Sequence, residues 1–133
     1  MTGVFADTFY YLALVSSADH AHEKSSMFSR AFVGHTVTTA WVLTEVADAL
    51  ASPPQRSVFL ALLRRLRDDP DVTIAPPTPE LFERGVESYG RRADKDWSLT
   101  DCISFVVMRE HGLTEVLTGD HHFEQAGFTI LLK

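Results

Sequence analysis

Four acidic residues, Asp7, Glu45, Asp101 and Asp120, stand where carboxylates can do chemistry. Asp7 directly follows the apolar run Val4, Phe5, Ala6, and Asp120 follows Val116, Leu117, Thr118 and Gly119. Short β-rich runs of this kind read as buried strands. A carboxylate at a strand end is costly to desolvate without a partner, a hydrogen-bonding nest or a metal. Taken singly, each acid also has a plainer reading. Asp7 fits a loop or helix-capping aspartate, and Asp120 fits the cap of a short helix through His121, His122 and Phe123. Asp101, three residues after Ser98, fits a capping box and a favourable place on the helix dipole. Glu45 lies away from the centre of the stripe Val42, Leu43, Val46 and Leu50, so it is either solvated or turned toward a polar cleft. Asp48, further round, reads as solvent-facing.

Together the four residues carry more than any does alone. Carboxylates crowded at one rim do not all stay ionised unless a cation compensates them. Oxygen-only ligation selects hard ions, Mg²⁺ or Mn²⁺, which keep waters and bind phosphate oxygens. Such a site predicts phosphoryl chemistry.

The rest of the chain supplies elements able to bring these residues together. Val4–Ala6, Thr36–Thr38, Val72–Ala75, Val116–Thr118 and Thr129–Leu132 are strand candidates. Helical periods run through Val42–Leu50 (within a helix from Thr39 to Ala51), Val58–Leu66 and Leu81–Tyr89. Ser98 to His111 is apolar nearly all round, begins at a good N-cap and stops at Gly112, which predicts a central buried helix. Ser52, Pro53, Pro54 and Pro76, Pro77, Pro79 read as turns within one domain. Strands alternating with helices predict an α/β fold with a mostly parallel sheet covered on both faces. Ligands in such sheets gather beyond the carboxyl ends of the strands.

The 133 residues suit a single domain over 1–133, and 45% hydrophobic with 23% charged residues is a globular composition. Twelve basic against eighteen acidic residues leave a net charge of −6. No global positive field is available for a polyanion, so nucleic acid would have to be met by a local basic patch or a bound cation. Cys102 is the one cysteine. It excludes an internal disulfide and a four-cysteine zinc cluster, suits a reducing compartment, and reads as core. No basic secretory leader and no run of ~20 apolar residues is seen, so a soluble cytoplasmic protein without a membrane partner is expected.

The segments Phe5-Ala6-Asp7-Thr8, TEVADAL with Glu45, WSLTDCISFVVM with Asp101 and LTGDHHFEQAGF with Asp120 resemble PIN-domain nucleases. The nearest resemblance is to the toxin half of VapC-type toxin-antitoxin pairs, and it covers essentially the whole chain in order and spacing. It implies a three-layer α/β/α sandwich around a mostly parallel sheet of about five strands, and a Mg²⁺- or Mn²⁺-dependent endoribonuclease. Asp7, Glu45, Asp101 and Asp120 match the family's catalytic, metal-holding quartet. Water activated by the ion would attack a backbone phosphorus and leave a 5′-phosphate and a 3′-hydroxyl. A homodimer and a small antitoxin partner are implied as well. Thr118 matches a supporting hydroxyl position. Many relatives carry serine or threonine two residues after the first aspartate, where this chain has Phe9; Thr8 is the candidate replacement.

Other residues weigh less. Asp96 reads as a loop end, with help for a second metal as the alternative. Arg91, Arg92 and Lys95 are the candidate RNA contacts, whereas Arg64, Arg65 and Arg67 fit a solvated helix face. His20, His22, His121 and His122 read as surface histidines, His122 being the one able to approach substrate. Trp97, Tyr10 and Tyr11 fit core or interface better than base-stacking platforms. Two rival functions remain: a catalytically silent PIN-like scaffold that binds RNA or protein, and a phosphotransfer hydrolase using Asp7 as nucleophile. Against the second, the Asp-x-Asp signature would place Phe9 at its second aspartate.

Overall fold

The computed structural model describes residues 3–133, in the order β1 (Gly3–Ala6), α1 (Thr8–Val15), α2 (His22–Ala31), β2 (His35–Thr39), α3 (Ala40–Ala49), α4 (Pro53–Asp68), β3 (Val72–Ala75), α5 (Pro79–Arg91), α6 (Leu99–Glu110), β4 (Glu115–Leu117), α7 (His121–Gln125) and β5 (Thr129–Ile130). The strands form one five-stranded sheet in the order β3-β2-β1-β4-β5, parallel at every pairing. The chain steps outward from β1 through β2 to β3, then crosses back to β4 and β5 on the other side. Right-handed crossovers put the outward and returning connections on opposite faces, which gives the expected α/β/α layering. The switch point lies between β1 and β4, where ligands of open α/β sheets collect.

Register decides what meets at that point. Phe5 pairs with Val37 on one side and Val116 on the other, and Ala6 pairs with Leu117. All five are buried, which explains continuous apolar runs in place of alternation. One residue further on, Asp7 and Thr118 lie side by side, still buried, at the end of the sheet.

The expected strands are all present, β3 with the ends expected and the other four with shifted ends. β4 stops at Leu117, where the Thr118 backbone N–H turns back onto the Val116 carbonyl at 3.1 Å, and β5 is shorter than Thr129–Leu132. Leu131 and Leu132 nonetheless keep sheet-like bonds to the carbonyls of Val116 and Thr118. Pro53, Pro54 and Pro79 correct the sequence reading: they open α4 and α5 instead of forming turns. A helix's first N–H groups have no intrahelical partner, so proline loses nothing there. The helices α1 and α2 carried no usable period. α1, TFYYLALV, is apolar nearly all round, and α2, HEKSSMFSRA, is mostly polar.

An aromatic cluster fixes the last helices. Phe105 of α6 is fully buried, edge-on to Trp97 at 5.1 Å and to Phe123 of α7 at 5.0 Å. Trp97 also donates its indole N–H to Gln125 Oε1 of α7 at 3.0 Å. These contacts seat α7 on α6, and with it Asp120 beside Asp101. On the other side of α6, a Cβ at Gly85 of α5 would fall 2.3 Å from Ile103 Cγ1. Alanine at this position gains roughly 0.5–1 kcal/mol of helix propensity, but overpacking costs about 1–3 kcal/mol. Gly85→Ala is therefore expected to lower the urea midpoint; an unchanged or raised midpoint would show that α5 and α6 separate freely.

Candidate active site

The carboxyl ends of β1 and β4, the first turns of α6 and α7 and one face of α3 enclose an open cleft of about 450 Å³. Asp7, Thr8, Phe9, Glu45, Asp96, Ser98, Asp101, Asp120 and His122 line it. The four acids singled out from sequence thus reach one cleft, and no lysine or arginine is among its lining residues.

Asp7 occupies the N-cap position of α1, yet its side chain makes no capping bond. It turns toward β4, where Thr118 Oγ1 donates to Asp7 Oδ2 at 2.8 Å. This overturns the plain capping reading. Asp7 is only 6% exposed, and burial pushes its pKa up from 3.8 to about 7. The Thr118 hydroxyl and the Thr8 backbone pull it down, while Asp101 and Glu45 push it up further; burial wins. The same Thr118 oxygen accepts from the Asp120 backbone N–H at 3.1 Å, so one hydroxyl ties the first acid to the loop bearing the last.

Glu45 is half-buried on α3, turned toward the cleft and not into bulk water, whereas Asp48 is exposed as expected. Helix α3 begins properly because Thr39 caps it, accepting from Val42 N at 3.1 Å. Thr8 Oγ1 donates to Glu45 Oε1 at 2.6 Å. The hydroxyl expected two residues after Asp7 is absent; Phe9 packs there against Gly119, where a Cβ would come 2.8 Å from the Phe9 ring. Thr8 is the hydroxyl that reaches the acids instead.

For Asp101 and Asp120 the capping readings and the cleft readings are both correct. Ser98 and Asp101 form a capping box: Ser98 N donates to Asp101 Oδ2 at 3.2 Å, and Asp101 N donates to Ser98 Oγ at 3.0 Å. Asp120 caps α7, its Oδ1 accepting from His122 N at 2.9 Å. Capping uses one oxygen of each. Among the described residues, the second oxygen of Asp101, Asp120 and Glu45 accepts no hydrogen bond. Burial, with the Asp120 charge adding to it, raises the Asp101 pKa against the Ser98 and His122 bonds.

The donor set suits a divalent cation. It is carboxylate-rich, crowded enough to disfavour full ionisation of its buried members, and lined by no fixed cation. Among the described residues, Asp120, His121 and His122 have donor atoms all within 4.8 Å of one another. His121 points outward, with a side chain 70% exposed, but that of His122 is 22% exposed and faces the cleft. Reading the histidines as surface groups holds for His20 and His121 and undervalues His122. Asp96 is an exposed loop residue that also lines the cleft.

The remaining candidates sit around the rim or in the core. Arg91 pairs with Glu87 at 2.8 Å, and Arg92 forks onto Asp94 at 3.1 and 3.2 Å. Arg92 and Lys95 lie over the Trp97 ring at 5.1 and 6.0 Å. None of the three lines the cleft itself. Trp97, Tyr10, Tyr11 and Cys102 are all buried, in keeping with the core reading.

Comparison with known proteins agrees with this geometry. The chain is 28% identical over 126 residues to the 23S rRNA-specific endonuclease VapC20 of Mycobacterium tuberculosis, in strains CDC 1551 and H37Rv, spanning 94% of this chain and 95% of that protein. The crystal structure of VapC20, a sarcin-ricin loop cleaving toxin, superposes with a TM-score of 0.85 at 25% identity, covering 95% of this chain and 96% of that one. FitAcB from Neisseria gonorrhoeae shares the fold, with a TM-score of 0.66 at 16% identity over 96% of both chains. Residues 4–129 match the PIN domain, and the chain belongs to that family.

Proposed function

We propose that this chain is a metal-dependent endoribonuclease, the toxin component of a toxin-antitoxin pair, built as a single PIN domain over residues 1–133. The observation that carries the proposal is the convergence of Asp7, Glu45, Asp101 and Asp120 on a cleft with no lysine or arginine among its lining residues. These four carboxylates would hold Mg²⁺ or Mn²⁺, and the chemistry such an ion would supply there is activation of a water and neutralisation of charge on the scissile phosphate. Thr118 and Thr8 each hold one oxygen of Asp7 and Glu45, and the capping box does the same for Asp101, leaving the other oxygens of Glu45 and Asp101 without a hydrogen bond among the described residues. Arg91, Arg92 and Lys95 meet RNA phosphates beside the cleft, supplying the local positive charge that a chain of net −6 otherwise lacks. Likeness to VapC20 along nearly the whole chain supports RNA as substrate, and structured ribosomal RNA is the target to try first. The working assembly is a cytoplasmic homodimer that an antitoxin holds silent.

Purified protein with Mn²⁺ is expected to cut RNA to products bearing 5′-phosphates, and Asp7→Asn or Asp101→Asn to slow cutting more than about 100-fold. Cleavage that survives both substitutions would assign the activity elsewhere. No cleavage of any RNA by wild type would favour the silent scaffold, and a trapped phospho-aspartate at Asp7 the phosphotransfer hydrolase. Arg91→Glu and Lys95→Glu should weaken RNA binding and flatten its dependence on log salt by about one per lost phosphate contact; an unchanged slope would remove them from the interface.

The state of Asp7 adds a pH dependence to the metal-free protein. Between 3.8 and about 7 the native state holds a proton that the unfolded chain releases. Stability therefore falls as pH rises through that window and levels off above it. Asp7→Asn should shrink the fall to the part that Asp101, raised in the same direction, contributes, leaving the variant more stable than wild type at pH 8 in EDTA. Parallel pH profiles for the two in urea denaturation would contradict this account of Asp7.

A further inference from the structure

His122 stands apart from the protein's other histidines. Its side chain sits in the first turn of α7, largely shielded, and lines the cleft. Nδ1 lies 3.3 Å from Asp101 Oδ2 and 3.4 Å from Asp120 Oδ1, at the long end of hydrogen-bond range for each. This is the spacing of one N–H shared between two acceptors. The two carboxylates belong to different helices, α6 and α7, and apart from aromatic packing His122 is the side chain that joins their acids.

The consequence for Asp101 is specific. Its Oδ2 receives both Ser98 N and His122 Nδ1, which restrains the carboxylate and leaves Oδ1 without a hydrogen bond among the described residues. Asp120 is held in the same way, its Oδ1 taking the His122 backbone N–H at 2.9 Å with the ring close by. A ligand set binds an ion tightly when its members are already oriented, and partners behind the ligands contribute that orientation.

We propose that His122 is a positioning residue: through Nδ1 it clamps Asp101 to Asp120 and so sets the affinity of the acidic cleft for a divalent cation. The proposal rests on the metal-dependent reading above.

The ring's two nitrogens can be tested separately by amide substitution. In His122→Asn the amide nitrogen falls near the place of Nδ1, whereas in His122→Gln it reaches toward Nε2. Mn²⁺ is titrated calorimetrically into wild type, His122→Asn, His122→Gln, His122→Ala and Asp7→Asn, after circular dichroism and thermal melts in EDTA establish that each is folded. Alanine and glutamine are expected to weaken Mn²⁺ binding about 10- to 100-fold, with asparagine within about threefold of wild type. RNA cleavage should follow the same order at limiting Mn²⁺ and converge at saturating Mn²⁺, because affinity is what the clamp sets.

Wild-type affinity in His122→Ala would overturn the proposal. So would rescue by glutamine in place of asparagine, or asparagine binding as weakly as alanine. Wild type that takes up no Mn²⁺, or takes it up no better than Asp7→Asn, would instead bring down the metal reading on which the clamp depends.

Discussion

The cost of drawing carboxylates out of water, with their mutual repulsion added to it, is the constraint around which this molecule is arranged. Parallel strands β1 and β4 deliver Asp7 and the Asp120 loop to the same edge, and α3 and α6 bring Glu45 and Asp101 to meet them. Burial, outweighing the Thr118 and Thr8 bonds and helped by the Asp101 and Glu45 charges, pushes Asp7 to about 7. The fold tolerates this crowding by giving each acid a donor: the Thr118 hydroxyl for Asp7, Thr8 for Glu45, Ser98 N for Asp101 and the α7 backbone for Asp120. None of these donors is a lysine or arginine. The acids are therefore held in place without a fixed counter-charge, an arrangement that a small hard cation would complete.

The same arrangement reconciles readings that look like competitors on paper. Capping a helix and lining a cleft are compatible uses of one carboxylate, and Asp101 and Asp120 serve both at once. Asp7 is the exception: its backbone occupies a capping position while its side chain leaves the helix unattended. Such a departure from local preference is expected where function, not helix stability, dictates the side chain's direction.

What the sequence made legible follows from how local each signal is. β1, β3 and α6 could be read because short buried runs and the Ser98–Asp101 box are written in neighbouring residues. The starts of α4 and α5 were misread because proline marks turns and first helical turns alike. α1 offered no period, since its residues meet core on several sides. At the site, the acids were legible as strand-end and helix-start carboxylates, but Thr8 as the donor to Glu45 spans 37 residues and no spacing rule reaches that far. His122 was undervalued for the same reason. A test of shared helix faces looks along one helix, whereas its ring contacts Asp101 on another.

Trp97 gives the arrangement a voice of its own. Its indole is buried, bonded to Gln125 of α7 and edge-on to Phe105, one residue before the capping serine of α6. The chain's other tryptophan, Trp41, lies on α3, away from that seat. Emission from Trp97 thus reports natively on whether α7 remains docked, and loosening of that helix would register as a shift to longer wavelength. The packing that aligns the acids doubles as an intrinsic optical gauge of their alignment.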